Sequence, residues 1–312
     1  MAKLRLAETV WVDGELVDAS RATVPLMTHS LHYGLAVFEG IRCYRAASGE
    51  RLVFRLKEHV RRLFESARMC LLDLPCPPED LSRACVEVVR RSSLEACYLR
   101  PIAWLGDGEM GLGAVNPIHM AVLAWDWGAY LGAEGVKRGV RAKISSFQRM
   151  PTTANLVKGK ITGQYVNSIL AKREALLAGY DEAILLDARG HVAEGSGENL
   201  FVVRDGVIYT PPAVSSAILA GVTRDSILRI ARDSGQTVEE RDFSRDLLYV
   251  ADEVFLCGTA AEVTPVREVD NRAIGDGRPG PITRELQAAF FRAVRGDEPR
   301  YRDWLTPVPP GP

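Results

Sequence analysis

Apolar and polar positions change period several times along the chain, and each change marks an element. Val10-Trp-Val-Asp-Gly-Glu-Leu-Val17 alternates about Asp13-Gly14, a dipeptide that accepts the positive backbone angles of a type I′ turn, and predicts a β-hairpin. Residues 41–44 and 52–54 predict a second strand pair. From 57 to 72, Val60, Leu63, Phe64, Ala67 and Leu71 recur at helical spacing, and 78–92 repeats that pattern. Residues 98–105 and 118–127 are apolar runs of strand length. Gly128-Ala-Tyr-Leu-Gly-Ala-Glu-Gly135 then breaks the periodicity with three glycines and predicts an interdomain loop. Beyond it, the pattern gives a helix at 163–177, a strand at 182–186, and a hairpin at 199–210 turning at Asp205-Gly206. A helix at 222–234, a strand at 253–256 and a closing helix at 282–294 follow, with 307–312 as a frayed tail. The expected fold class is α+β, with domains at 1–127 and 135–312 joined by 128–134.

Length supports that division, because 312 residues exceed what one hydrophobic core usually serves. The net charge of −1, without a basic stripe, argues against a nucleic-acid partner. Charges interrupt Met-Ala-Lys-Leu-Arg-Leu at the N-terminus, and no segment reaches membrane-spanning length, so a cytoplasmic protein is expected. Cys43, Cys70, Cys76, Cys85, Cys97 and Cys257 lack CxxC spacing and read as small buried hydrophobes.

Several chemistries are testable on the residues. Gly111-Leu-Gly113 and Gly195-Ser-Gly197 lack the third glycine of a dinucleotide fingerprint, and neither leads into a Walker lysine. No Gly-x-Ser-x-Gly elbow occurs. His29 and His32 stand three apart without a third ligand of matching spacing, which leaves a metal-dependent hydrolase as an alternative of a different class. Anion binding has better candidates: Gly221-Val-Thr-Arg-Asp opens a helix, and Gly258-Thr-Ala-Ala261 follows a strand. With Arg62 they could hold a phosphate monoester. Lys158 and Lys160 are two of only seven lysines against 32 arginines, so their adjacency is not generic solubilising charge. A phosphate facing a lysine implies pyridoxal 5′-phosphate, whose aldehyde needs an unprotonated amine and whose ring nitrogen needs a carboxylate, for which Glu194 is suited.

Val37-Phe-Glu-Gly-Ile-Arg-Cys-Tyr44, Ala193-Glu-Gly-Ser-Gly-Glu-Asn-Leu-Phe201 and Gly258-Thr-Ala-Ala-Glu-Val-Thr-Pro265 closely resemble the branched-chain amino acid aminotransferases, of fold-type IV among pyridoxal-phosphate enzymes. The likeness runs over roughly residues 9 to 295. It implies a smaller N-terminal α/β domain and a larger C-terminal domain with a β-barrel-like core. It implies that Lys160 is the Schiff-base lysine, Tyr165 its phenolic neighbour and Glu194 the partner of the pyridine nitrogen. The phosphate cup would be Arg62, the Val222 and Thr223 amides and Thr259, with Leu219 against the ring. The substrate α-carboxylate would meet the Thr259 and Ala260 amides and the Tyr98 hydroxyl. Phe38, Gly40, Trp127, Tyr130 and Tyr165 would wall the side-chain pocket, and Arg100 would receive the distal carboxylate of glutamate. Tyr33 and Leu112 would come from the neighbouring subunit of a homodimer or higher homo-oligomer.

The implied reaction is transamination of L-valine, L-leucine and L-isoleucine with 2-oxoglutarate, giving 2-oxo acids and L-glutamate. Alternatives within fold-type IV are D-amino acid or R-amine transaminases and aminodeoxychorismate lyase; a non-catalytic interaction protein is a third class. The Lys-to-Tyr spacing selects Lys160 and leaves Lys158 a bystander. Val157-Lys158-Gly159 and Ala220 depart from the family pattern, and bear on substrate breadth more than on the reaction.

Overall fold

The computed structural model describes residues 4–128 and 130–311. It divides into two units. One comprises residues 1–127, 159–164 and 292–312, and the other residues 128–158 and 165–291. Ala129, inside the expected interdomain loop, lies outside the described residues, as do residues 1–3 and Pro312.

The first unit is built on an antiparallel sheet of nine strands among the described residues. The predicted hairpin is present as Thr9–Val12 and Glu15–Asp18, with Asp13 at φ 47° and Gly14 at φ 102° between them. Ile41–Arg45 pairs with Arg51–Phe54, and Cys97–Leu105 pairs along its whole length with Ile118–Asp126. Helix Leu56–Met69 turns Leu56, Val60, Leu63 and Ala67 inward, but the same buried face carries two polar residues, His59 and Ser66. It ends short of the expected residue 72, because the chain turns through a left-handed Leu71. Helix Pro78–Arg91 starts on a proline, whose missing N–H costs nothing in a first turn, and buries Leu81, Cys85 and Val88. These residues join Val37, Ile41, Leu99 and Met120 in one core, where each large apolar side chain contributes about 1.5–3 kcal/mol.

The tail corrects the sequence reading. Leu305–Val308 is a strand paired antiparallel with Arg51–Phe54, so the chain does not fray from 307 and the helix Pro281–Arg295 does not close the fold. Pro307 is tolerated because this strand is the edge of the sheet.

The second unit has a mixed nine-stranded sheet among the described residues. Val140–Ile144 runs parallel to Glu182–Leu186 and to Glu262–Val269, while Asn199–Arg204 is antiparallel to Glu253–Gly258. Asp205 and Gly206, both at positive φ, turn the chain from Asn199–Arg204 into Val207–Thr210. Phe201 and Phe255 stack with ring centroids 4.9 Å apart in its interior. The glycine-rich stretch after residue 127 is only partly a loop, since helix Gly132–Arg138 begins inside it. Helices Tyr165–Leu177 and Val222–Asp233 fall where the periodicity placed them. Among the described residues, no helix is long and apolar enough to cross a membrane.

Candidate active-site residues

In the first unit the lysine segment is tied to strand Ala36–Phe38 by an isolated bridge and side-chain hydrogen bonds. The Phe38 N–H donates to the Lys160 carbonyl at 3.1 Å, and Val37 bridges antiparallel to Ile161. Thr162 Oγ1 donates to the Gly34 carbonyl at 2.6 Å and accepts the Ala36 N–H at 3.2 Å. The Lys160 N–H donates to Ser66 Oγ at 3.0 Å, and that hydroxyl donates to the Arg62 carbonyl at 2.7 Å. One buried serine on helix Leu56–Met69 thus registers Lys160 against Arg62. The Lys160 ammonium nitrogen lies 5.0 Å from the Phe38 ring centroid.

Arg62 itself is aimed by Glu39, a fully buried residue that the sequence reading did not single out. Its Nε and Nη2 donate to the two Glu39 oxygens at 2.6 and 2.8 Å, a bidentate grip that fixes the guanidinium plane. His59 Nδ1 lies 2.7 Å from Glu39 Oε2. Burial alone would raise the Glu39 pKa, but the Arg62 and His59 contacts overcome it and hold the carboxyl well below the usual range. Burial lowers the His59 pKa against the pull of Glu39, with Arg62 and Lys160 adding to the downward push. An ionised carboxylate can only accept, so His59 Nδ1 is the donor in this contact. The sequence signal was present in Phe-Glu-Gly: an acid between apolar residues of a strand run needs a cationic partner.

The substrate residues expected from this unit adjoin one another. Gly40 has no room for a side chain, because a Cβ there would stand 1.8 Å from the Tyr98 hydroxyl. Tyr98 packs edge-on against Trp127 at 4.7 Å. The Arg100 guanidinium lies 4.5 Å from the Phe38 centroid and 5.5 Å from those of Tyr98 and Trp125. Among the described residues, its buried Nε has no hydrogen-bond acceptor.

In the second unit Glu194 sits in regular structure. It lies buried on strand Val192–Gly195, opposite Leu185. Oε2 accepts the Asn199 side-chain amide and the Leu219 N–H, each at 3.1 Å. Arg149 Nε stands 2.6 Å from Oε1, a charge contact whose N–H direction misses hydrogen-bond alignment. Neither Arg149 nor Asn199 was identified from sequence. Asn199 also donates to the Leu219 carbonyl at 3.0 Å, and its Oδ1 fills the space where a Gly221 Cβ would project, 2.0 Å away. Gly221 caps helix Val222–Asp233, so one amide links the carboxylate, Leu219 and the helix entrance that presents Val222 and Thr223.

Thr259 and Ala260 occupy the turn between Glu253–Gly258 and Glu262–Val269. A Cβ on the adjoining Gly258 would lie 3.5 Å from the Gly197 carbonyl, which places that turn beside the Gly195-Ser-Gly197 turn. Tyr165 is the first residue of helix Tyr165–Leu177. The Tyr130 ring lies 5.1 Å from the Lys172 ammonium, and burial, with Glu198 and Glu182 behind it, raises its phenol pKa. Lys172 binds Glu182 at 2.5 Å, and Ser196 donates to the same carboxylate at 2.6 Å. Glu198 is pushed up to about 8 by burial first and by Glu182 second, against the pull of Lys172.

Lys158, expected to be a bystander to the chemistry of Lys160, is hydrogen-bonded within the second unit. Its ammonium donates to the carbonyls of Ala213 and Ser216, each at 2.5 Å, and of Ile218 at 3.1 Å. Tyr33 and Leu112 are exposed, at 46% and 90%, and lie on segments joined by His29 Nε2 to the Gly111 carbonyl at 2.7 Å. His32 Nε2 meets the Leu26 carbonyl at 2.8 Å. Both histidines thus spend a ring nitrogen on backbone, and among the described residues no group of three or more His, Cys, Asp or Glu could hold a metal ion.

The model of the family described as amino-transferase class IV matches residues 36–269. The branched-chain-amino-acid aminotransferase of Pseudomonas aeruginosa is 45% identical over 300 residues, covering 96% of this chain and 97% of the relative. The solved branched-chain amino acid aminotransferase of Escherichia coli is 43% identical at a TM-score of 0.94, over 97% of this chain and 100% of that one. That of Thermobaculum terrenum, solved in its PLP-form, is 35% identical at a TM-score of 0.91, over 98% of this chain and 99% of that one. The α+β architecture expected from the sequence is that of fold-type IV. The chain belongs to the class IV aminotransferases and, within them, to the branched-chain-amino-acid aminotransferases.

Proposed function

We propose that this protein transfers the amino group of L-valine, L-leucine or L-isoleucine to 2-oxoglutarate, yielding the 2-oxo acids and L-glutamate with pyridoxal 5′-phosphate as cofactor. The observation that carries the reading is Glu194, a buried carboxylate with Arg149 on one oxygen and two N–H donors on the other. That arrangement favours the ionised acid, which a protonated pyridine nitrogen requires. The remaining donors fit the group as well: the N-terminal amides of helix Val222–Asp233 and the oriented Arg62 suit a phosphate dianion. Bound pyridoxal phosphate supplies a carbonyl that condenses with amines and a ring that accepts the electron pair released when the α C–H bond breaks.

This chain's residues do the rest. Lys160 Nζ would hold the cofactor and, when free of it, would serve as the base that takes the proton from the substrate α-carbon. Tyr165 accompanies Lys160 at the cofactor, and Leu219 packs on the ring. Arg62, the Val222 and Thr223 amides and Thr259 bind phosphate. The Thr259 and Ala260 amides and the Tyr98 hydroxyl orient the α-carboxylate. Phe38, Gly40, Trp127, Tyr130 and Tyr165 form the apolar pocket, and Arg100 takes the second carboxylate when glutamate is bound. Its aromatic surroundings suit this alternation, because a flat guanidinium stacked on rings accepts aliphatic side chains beside it and a carboxylate at its edge.

Tyr33 and Leu112 act in a second copy of the chain, so a homodimer is the smallest complete enzyme. The exposure of Leu26, Leu31 and Val115 on the same two segments supports that surface as an interface.

Lys160→Ala is expected to abolish turnover and the visible absorbance that borohydride removes. Full multiple-turnover activity in that variant would sink the assignment. A panel of L-leucine, D-alanine and 1-phenylethylamine, against 2-oxoglutarate and pyruvate, tests the substrate class. Preference for either of the latter two amines would replace the L-branched-chain reading.

A further inference from the structure

Residues 211–221 connect strand Val207–Thr210 to helix Val222–Asp233 without regular structure, yet Ser216, Ala217 and Ile218 are buried. A buried irregular segment must find acceptor and donor partners for its backbone outside any ladder. Lys158 meets that need. An ammonium has three donors, and here all three point at carbonyls of this one segment, those of Ala213, Ser216 and Ile218.

The segment is also tied at its other anchor points. Arg224 Nη2 donates to the Pro211 carbonyl at 2.7 Å, and Asp242 accepts the Ser216 hydroxyl at 2.7 Å. Immediately after the last carbonyl held by Lys158, the Leu219 N–H reaches Glu194, and Gly221 opens the helix whose first amides are Val222 and Thr223. Glu194 also acts on Lys158 through its charge, opposing the lowering of the lysine's pKa by burial.

We propose that Lys158 is a positioning residue: by gathering three carbonyls of residues 213–218 it sets the entrance of helix Val222–Asp233 and so the affinity for the cofactor's phosphate. The inference rests on the pyridoxal-phosphate reading above. It gives the two lysines of Lys158-Gly-Lys160 separate tasks, one at the amine chemistry and one at the anion end.

The test uses the full chain freed of cofactor and compares wild type with Lys158→Met, which keeps most of the aliphatic stem and removes the ammonium. Both proteins are titrated with pyridoxal 5′-phosphate and with pyridoxal, and hydrogen exchange is followed by mass spectrometry. The variant is expected to bind pyridoxal 5′-phosphate about tenfold more weakly, the loss of roughly one charge-assisted hydrogen bond, with pyridoxal affinity unchanged. Exchange should quicken within 211–223 and stay the same elsewhere. Unchanged phosphate-ester affinity, an equal loss for both aldehydes, or faster exchange spread over the whole second unit would each overturn the proposal. If Lys158→Met does not fold, Lys158→Ala is titrated in ammonium chloride and in sodium chloride at equal ionic strength. Tighter binding in ammonium supports the cradle, and identical binding overturns it. Should wild type bind neither aldehyde, the cofactor reading fails, while the exchange comparison still tests the hold of Lys158 on its segment.

Discussion

Glu39 in the first unit and Glu194 in the second are both buried carboxylates beside an arginine, and the partners exchange tasks between them. Glu39 spends both oxygens on Arg62 and His59, so it serves to aim a guanidinium. Glu194 has Arg149 at one oxygen and two N–H donors on the other, so there the arginine helps to keep a carboxylate charged. The same pair of residue types thus fixes a guanidinium in one unit and a carboxylate in the other. What differs is what completes the carboxylate's shell: a second basic side chain for Glu39 and two N–H donors for Glu194.

The largest effect should come from Glu39→Gln, which removes the buried negative charge that Arg62 and His59 share, at a cost of about 3–5 kcal/mol in stability. Thermal melts would read that loss. Affinity for pyridoxal phosphate should fall with it, while kcat at saturating cofactor is largely kept. A kcat that falls at saturating cofactor, with affinity intact, would erase the distinction between the two pairs. Arg149→Met should cost less, roughly 1–3 kcal/mol, because Glu194 keeps the Asn199 and Leu219 donors and can protonate to relieve its charge. Here the expectation reverses: kcat drops and cofactor affinity changes little, as steady-state kinetics over a cofactor range would resolve.

A separate effect, read only against pH, concerns another buried acid, Glu198, which has no arginine partner among the described residues. Its folded pKa is raised to about 8, whereas an unfolded chain releases that proton near about 4.3. The folded protein therefore binds the extra proton between those values. The associated stability is complete below the lower value and is lost as pH rises through the upper one. Glu198→Gln should lack this component, so the melting temperature of wild type relative to the variant should decline from pH 5 to 8.5. For a unit of this size the change should be about 2–4 °C per kcal/mol. A constant difference across that range would show that Glu198 does not hold the proton.

Much of the fold was legible in the chain. The hairpin at Asp13-Gly14, the strand pair at 41–54, both long helices of the first unit and the helix after Gly221 follow from local periodicity and turn chemistry. Lys160, Glu194 and Arg62 could be named from motif resemblance. Residues that support them were harder to see. Arg149 lies 45 positions before Glu194 in a stretch without periodicity, and Asn199 was read only as the start of a hairpin strand. Their meaning depends on contacts that strand pairing creates. The strand at Leu305–Val308 was missed for the same reason, since its proline-containing run has a partner 250 residues earlier.

The two lysines divide these contributions. By itself the sequence determined the family and pointed to Lys160 as the candidate for its amine chemistry, because the Lys-to-Tyr spacing and the flanking motifs are local patterns. Only the tertiary structure decided which carbonyls Lys158 meets, which residue aims Arg62, and that Glu194 lies buried on a strand between an arginine and an asparagine. The reason is physical: the state and direction of a buried charge are set by the donors and acceptors folded around it, and those come from segments far apart in the chain.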